Sequence, residues 1–372
     1  MTDFSGRLAK PDLGTEEPRH EDLEPEAQLR ANALNLEEAL IGGKRVLTRK
    51  EVAQLAGVST FSARKFWRAL GLPQIPAGKV AYTMHDVGAI SAVASLVDEE
   101  ILDEDTAMAL VRAVGHTTDR LVVWQMESLV EFLTDTRGYS DLEARSVVMP
   151  LLEKLLEPLE NLLVYSWKHN MSNVLSRLNV NVGNGLAMEN REGWFDSSMP
   201  LARAVGFVDL VSYTRLSQQM EPKQLAKLVK KFQDLAYAIV ATGGGRIIKT
   251  VGDEVYYAAE TPHAGAEISM SLQEQISVDP ELPDARVGFS WGKVLSRMGD
   301  IFGSTVNLAS RLTAMTEPGT VMTDLDTASI IQRSDDYLFA NRRNVTLQGL
   351  GTVAVAEMTR GTARALDLDL TQ

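Results

Sequence analysis

Between Thr48 and about Met171 the apolar positions recur at helical spacing almost throughout, as in "TAMALVRAVGHTTDRLVVWQMESLVEFL" and "SDLEARSVVMPLLEKLLEPLENLLVYSWKHN". This pattern predicts an all-helical domain over residues 41–176, in which Ser140 and Glu143 have the spacing of a capping box. Ahead of it, residues 1 to about 25 are acidic and contain prolines, the composition of a loose arm. "AQLRANALNLEEALIGG" then reads as a first helix stopped by Gly42 and Gly43, so that residues 1–40 form an arm and one helix.

The periodicity is lost in "RLNVNVGNGLAMENREGWFDSSM", which is rich in Asn and Gly, and residues 177–196 are expected to be a linker. Beyond it the pattern changes to short β-rich runs alternating with amphipathic helices. "LARAVGFVDLVSYT" reads as a strand, "EPKQLAKLVKKFQDLAYAIVATGG" as a helix closed by glycines, and "GRIIKTVGDEVYYAA" as a hairpin. "TPHAGAEISMSLQEQISV" follows as a helix and "ARVGFSWGKVLSRM" as a strand, with further β structure after "SRLTAMTEPGTVMTD". The order strand, helix, strand, strand, helix, strand is that of a ferredoxin-like split βαβ unit with additions, so the second half is α+β. It spans residues 197–361 and leaves a short tail, 362–372.

Composition narrows this picture. A chain of 372 residues has room for two ordinary domains. The absence of cysteine excludes disulfides, thiolate metal sites and thiol nucleophiles together, and makes a cytoplasmic location the default. No stretch offers eighteen uninterrupted apolar residues, so no membrane insertion is expected. The net charge of −13 argues against general attraction to polyanions, although one segment departs sharply from that average.

Chemistry concentrates in the second half. Asp209 follows a strand and Asp253 stands at a hairpin tip, so the two carboxylates could meet at neighbouring strand ends of one sheet. Oxygen ligands of this kind suit Mg²⁺ or Mn²⁺ and leave coordination positions open for phosphate. Lys249, four positions before Asp253, is either part of the same site or one side of a polar hairpin tip. In "GDIFGSTVNLASRL", Asn307 and Arg311 are four apart and share a helix face. That face is either simply solvated, or able to orient a hydroxyl and hold a phosphoryl oxygen.

Three stretches, "VGFVDLVSYTRLS", "IIKTVGDEVYYA" and "DIFGSTVNLASRL", resemble in order and separation the catalytic domain of class III nucleotide cyclases, over about residues 197–360. The resemblance implies that Asp209 and Asp253 ligate two divalent ions, Mg²⁺ or Mn²⁺, and that ATP is the substrate. It assigns base reading to Lys249 and Asp300, a donor and an acceptor that complement adenine. Guanylate cyclases usually carry Glu and Cys at these places. It also assigns ribose orientation to Asn307 and transition-state charge stabilisation to Arg311. Because family members take the metal-binding and base-reading residues of one site from different subunits, a homodimer with two composite active sites is implied. One departure stands in "VTLQGLGTVAVAEM", where Gln348 lies near a position that often carries a basic triphosphate contact. Arg342 or Arg343 could substitute, or form a solvated pair.

The first half resembles, by layout, the helical regulatory domain of soluble two-domain actinobacterial-type cyclases, some of which are controlled by pH. His116 and His169 are candidate sensors there, and equally ordinary surface or core residues. "LTRKEVAQLAGVSTFSARKFWRALGLP" looks like a MerR-like helix-turn-helix. Lys44, Arg45, Arg49, Lys50, Arg64, Lys65, Arg68 and Lys79 stand there against Glu51 alone. This is the footprint expected for DNA contact through residues 44–79, or for a basic face that meets the acidic remainder of the chain.

Overall fold

The computed structural model describes residues 26–186, 201–297, 299–332 and 335–368. The chain divides into two compact units, with the boundary between residues 184 and 185.

In the N-terminal unit, α1 spans Glu26–Leu40, β1 Leu47–Thr48, α2 Arg49–Leu55, α3 Thr60–Ala69, β2 Val80–Tyr82, α4 Met84–Asp98, α5 Glu104–Glu131 and α6 Asp141–Leu186. The expectation of an all-helical unit needs one correction, because β1 and β2 pair antiparallel with Leu47 opposite Tyr82. The physical cause is local. Thr48 caps α2, a role that requires extended backbone (φ −87°, ψ 161°), and the residues leading into the cap extend with it. Thr48 and Glu51 form a reciprocal capping box, and Gly57 (φ 71°) makes the left-handed turn into Ser59, whose side chain caps α3. α3 turns Ala63, Phe66, Trp67 and Ala69 inward. Trp67 stacks on Tyr82 with ring centroids 4.2 Å apart, and its indole N–H donates to Asp86 Oδ1 at 3.3 Å.

The capping box expected at Ser140 is present, with Ser140 N donating to Glu143 Oε2 at 2.9 Å and Glu143 N to Ser140 Oγ at 3.3 Å. α6 then runs on to Leu186, so residues 177–186 are helical where a linker was expected. Extending an existing helix fixes one residue per added hydrogen bond, which weak Asn and Gly propensities do not forbid. Residues 187–196 of that expected linker lie outside the described residues.

The C-terminal unit contains β3 Leu201–Leu210, α7 Tyr213–Gln219, α8 Pro222–Thr242, β4 Arg246–Val251, β5 Glu254–Ala259, α9 Pro262–Val278 and β6 Ala285–Arg297. β7 Asp300–Phe302, α10 Ser304–Met315, β8 Thr320–Asp324, α11 Leu325–Ile331, β9 Tyr337–Leu347 and β10 Gly351–Arg360 complete it. The sheet order is β4-β5-β3-β6-β8-β10-β9, with β7 folded back on β6. Its first four strands have the connectivity of the expected split βαβ unit, and β6 pairs parallel with β8 where the addition begins. The strand expected over 201–214 stops at Leu210. Ser212 takes a left-handed conformation (φ 63°) and α7 starts after it.

Strand alternation divides the two faces of this sheet. Ala204, Val208 and Leu210 of β3 join Phe232 and Ile239 of α8 and Ile268 of α9 in the main core. Val205 and Phe207 point the other way, into a smaller cluster with Tyr256, Ile301 and Ala309 of α10. The candidate site residues stand on this second side.

Candidate active site

Asp209 lies two residues beyond Phe207 and shares its face. In register it stands opposite Glu254 of β5 on one side and Arg286 of β6 on the other. Asp253 sits at the turn between β4 and β5, where Gly252 (φ 60°) supplies the left-handed step. The Asp253 carbonyl accepts a hydrogen bond from Leu210 N at 3.2 Å, which ties the hairpin tip to the end of β3. The expected meeting of the two carboxyls therefore occurs, with the Asp253 charge near enough to act on the Asp209 carboxyl.

That contact has an electrostatic price. Burial raises the Asp209 pKa, and the neighbouring Asp253 and Glu254 charges raise it further, against the opposing pull of Arg286. Asp253 is raised by burial as well, and Glu254 by burial and the Asp253 charge. Two partly buried carboxyls held this close repel each other when both are ionised, and a divalent cation between them would offset that repulsion. The donor set fits a hard ion. No group of three or more acidic or histidine side chains suited to a metal occurs among the described residues, so an ion held by these two carboxyls would need further oxygen ligands from outside the pair.

Lys249 is exposed on β4, directly opposite Tyr256 of β5 and next to a register shift between Ile247 and Lys249. Tyr256 stacks on Phe207 with centroids 4.5 Å apart and donates its hydroxyl to the Ile301 carbonyl at 3.1 Å. This phenol therefore couples β5, the strand paired with the one carrying Lys249, to β7, which begins at Asp300. Asp300 itself accepts from Ile301 N at 2.8 Å, fixing the carboxyl at the head of β7. Tyr256 was missed by sequence reasoning, although hairpin pairing about Gly252 places it across from Lys249.

Asn307 and Arg311 share the exposed face of α10, while Thr305, Ala309, Leu312 and Thr313 are buried beneath them. Two glycines of β6 set how closely this helix lies on the sheet. A Cβ on Gly292 would lie 2.6 Å from Thr305 Oγ1, and one on Gly288 would meet the backbone nitrogen of Thr313. Thr313 Oγ1 also donates to the Ala309 carbonyl at 3.0 Å and approaches the Phe207 carbonyl at 3.3 Å. Neither glycine had a recognisable signal in the sequence, since their role depends on what packs over the strand.

Of the six expected residues, Asp209 and Asp253 lie together, Asn307 and Arg311 share one face of α10, and the pair Lys249 and Asp300 is linked only through Tyr256, which stands opposite Lys249 and bonds the Ile301 carbonyl beside Asp300. Among the described residues no hydrogen bond or ion pair joins one pair to another. Both basic alternatives near the C-terminus are held by protein groups. Arg343 Nη1 pairs with Glu357 Oε1 at 2.9 Å and Arg342 Nη2 donates to Gln332 Oε1 at 2.8 Å, while Gln348 is exposed after β9. Of the two histidines, His116 is exposed on α5 and His169 is exposed on α6, its ring 4.4 Å from that of Tyr165.

Comparison with known proteins places the chain in a family. Residues 202–359 match the adenylate and guanylate cyclase catalytic domain family. An adenylate cyclase of Glutamicibacter nicotianae is 43% identical over 348 residues, 93% of this chain and 86% of that protein. An adenylate cyclase of Streptomyces coelicolor is 39% identical over 82% of this chain and 76% of its own length. A more distant relative, the pH-sensitive adenylate cyclase MT1302 of Mycobacterium tuberculosis, is 26% identical over 74% of this chain and 68% of its own. With the likeness to the Glutamicibacter enzyme extending through both units, and the paired carboxyls standing on the sheet face that α10 covers, the chain belongs to the class III adenylate cyclases.

Proposed function

We propose that the chain converts ATP to 3′,5′-cyclic AMP and pyrophosphate in two composite sites of a homodimer. The ribose 3′-oxygen bonds the α-phosphorus, the bond from that phosphorus to the bridging oxygen breaks, pyrophosphate leaves with that oxygen, and the hydroxyl proton passes to water. Asp209 and Asp253 would hold two Mg²⁺ or Mn²⁺ ions, which when bound promote ionisation of the hydroxyl and offset phosphate charge. Lys249 donates to a ring nitrogen of adenine and Asp300 accepts from its exocyclic amine, with Tyr256 keeping their strands in register. Asn307 orients the ribose, and Arg311 offsets charge that develops on the phosphoryl oxygens. The observation that carries this reading is the meeting of Asp209, near the end of β3, with Asp253 at the β4–β5 turn, tied together where Leu210 N donates to the Asp253 carbonyl at 3.2 Å.

The exposed placement of Asn307 and Arg311 supports a composite site, because these side chains turn away from their own sheet and are free to meet a partner subunit. Mixing two inactive variants tests it. Asp253→Ala and Arg311→Ala chains should regain about a quarter of wild-type activity, since half of the dimers formed at random are mixed and each has one intact site. No recovery, with dimers demonstrably exchanged, refutes the composite arrangement. The N-terminal unit is proposed to regulate the reaction by altering how two catalytic units meet, with pH as the stimulus suggested by the name of the mycobacterial relative. A pH profile identical in the His116→Ala/His169→Ala variant would remove both histidines as sensors.

A further inference from the structure

The basic segment of the N-terminal unit separates into two groups of cations. Lys65 is engaged, its ammonium 2.9 Å from Glu104 and 3.6 Å from Asp105, and Arg45 pairs with Glu37 at 2.7 Å. These contacts match the expectation of a basic face meeting acidic groups of the same chain. Arg49, Lys50 and Arg64 behave differently. Together with Thr60, Phe61 and Gly78 they line a cleft of about 320 Å³, and among the described residues no carboxylate pairs with any of the three.

The construction of the cleft says what it would take. Lys50, Arg64 and Thr60 are exposed, and Phe61 is 63% exposed with the Arg64 guanidinium 5.6 Å from its ring centre. Small-molecule sites bury most of their ligand among apolar walls, and this shallow cationic cleft does not. A polyanion lying across the surface needs no such enclosure. Thr60, Arg64 and Arg68 follow one another at four-residue spacing along α3, so one face of that helix is polar and cationic while Ala63, Phe66 and Trp67 anchor the other. The rim is completed from two further elements, by Arg49 and Lys50 at the start of α2 and by Gly78 just before β2. A helix presented on such a rim has the dimensions to enter a major groove while the flanking cations meet phosphates.

We propose that this cleft docks the phosphodiester backbone of duplex DNA, with the exposed face of α3 toward the major groove. The surface belongs to the N-terminal unit alone and does not depend on how the cyclase reaction proceeds. Binding is electrostatic in origin and so falls steeply with salt.

The test uses the full chain and a fluorescein-labelled duplex of about 20 base pairs, titrated by anisotropy from about 50 to 200 mM salt. Each phosphate neutralised contributes about −0.9 to the slope of log affinity against log salt, so three cations give about −3. Arg49→Ala, Lys50→Ala and Arg64→Ala should each weaken binding and reduce the slope by about one. Lys65→Ala should leave the slope unchanged, because its charge is already taken by Glu104 and Asp105. Unchanged cyclase activity and melting temperature in the same variants separate lost contact from lost fold. Absence of duplex binding at low salt overturns the proposal, as does binding that the three variants do not alter. It is equally overturned if pyrophosphate or anionic phosphatidylserine vesicles bind through Arg64 and the duplex does not.

Discussion

Replacing Gly288 with alanine adds one methyl group beneath α10, far from any expected substrate contact. That Cβ would press on the backbone nitrogen of Thr313, lie 2.6 Å from Thr313 Oγ1 and 2.9 Å from the Leu312 carbonyl carbon. Ordinary separation for such atoms is about 3.5 Å, so the helix must retreat by about 1 Å. Backbone cannot rotate aside as a long side chain does, and overpacking of this kind costs about 1–3 kcal/mol. For a unit of this size the melting temperature should fall by about 3–9 °C. The larger effect is expected in catalysis. Asn307 and Arg311 ride on α10, and a misplacement near 1 Å can cost about 100-fold in rate. The assay is cyclic AMP formation under saturating ATP, followed beside thermal melting. Gly206→Ala is the matched control, since its Cβ would strike the Tyr257 ring on the opposite face of the sheet. It should lower stability comparably and leave kcat much closer to wild type. If Gly288→Ala keeps its kcat, or Gly206→Ala loses as much at equal loss of stability, then the packing of α10 does not govern the site.

Other expectations follow from the charged groups. Asp209→Asn should reduce activity by at least about 100-fold. In chelator it should raise the melting temperature at neutral pH, because a carboxyl whose folded pKa lies above its ordinary 3.8 opposes folding once ionised. The same reasoning makes the metal-free wild type lose stability as pH rises through that elevated value, which melting in chelator across pH 4–8 would reveal. Lys249→Glu with Asp300→Cys should move preference from ATP toward GTP, read as the ratio of kcat/KM values. Unaltered preference would remove both residues from base reading. Arg360 binds Glu267 through Nη1 at 2.7 Å and Nη2 at 2.9 Å and Glu274 through Nε at 2.9 Å, while Tyr337 donates to Glu267 at 2.6 Å. Arg360→Met should therefore destabilise the unit by about 3 kcal/mol, measured by urea denaturation. Burial alone would raise the Glu267 pKa, but its bonds to Arg360, Tyr337 and Ser271 bring it below the ordinary 4.5. Its stabilising contribution is thus present above that value and declines as pH falls through the lowered one, a decline that Arg360→Met should blunt.

Much of the fold was legible because its signals are local. The switch from helical periodicity to alternating strands separates two kinds of structure, and capping residues such as Thr48, Ser59 and Ser140 start helices through bonds only a few residues long. Of the six polar residues expected at the site, Asp209, Asp253, Asn307 and Arg311 stood out by residue type and spacing along single elements, whereas Asp300 and the base-reading role of Lys249 came only from the resemblance. The failures were non-local or lay at boundaries. The β1–β2 pair, the stop of β3 at Leu210 and the extension of α6 to Leu186 depend on neighbours distant in sequence or on helix propagation, which propensity only weakly predicts. Arg342 and Arg343 are another such case, for Gln332 and Glu357 reach them only once β9 and β10 have paired.

By itself, then, the amino-acid sequence determined the two structural classes, the element order of the catalytic unit and which side chains carry oxygen, amide or guanidinium groups to it. The tertiary structure decided what those groups feel. Desolvation and the approach of Asp253 raise the Asp209 pKa, the Tyr256 hydroxyl couples β5 to β7, and bare glycines in β6 let α10 settle close enough to carry Asn307 and Arg311. It also divided one basic segment into cations already paired and cations left facing a cleft. The reason is common to all four. Burial, charge proximity and van der Waals clearance are properties of atoms brought together from different strands and helices, and they exist only when the chain has folded.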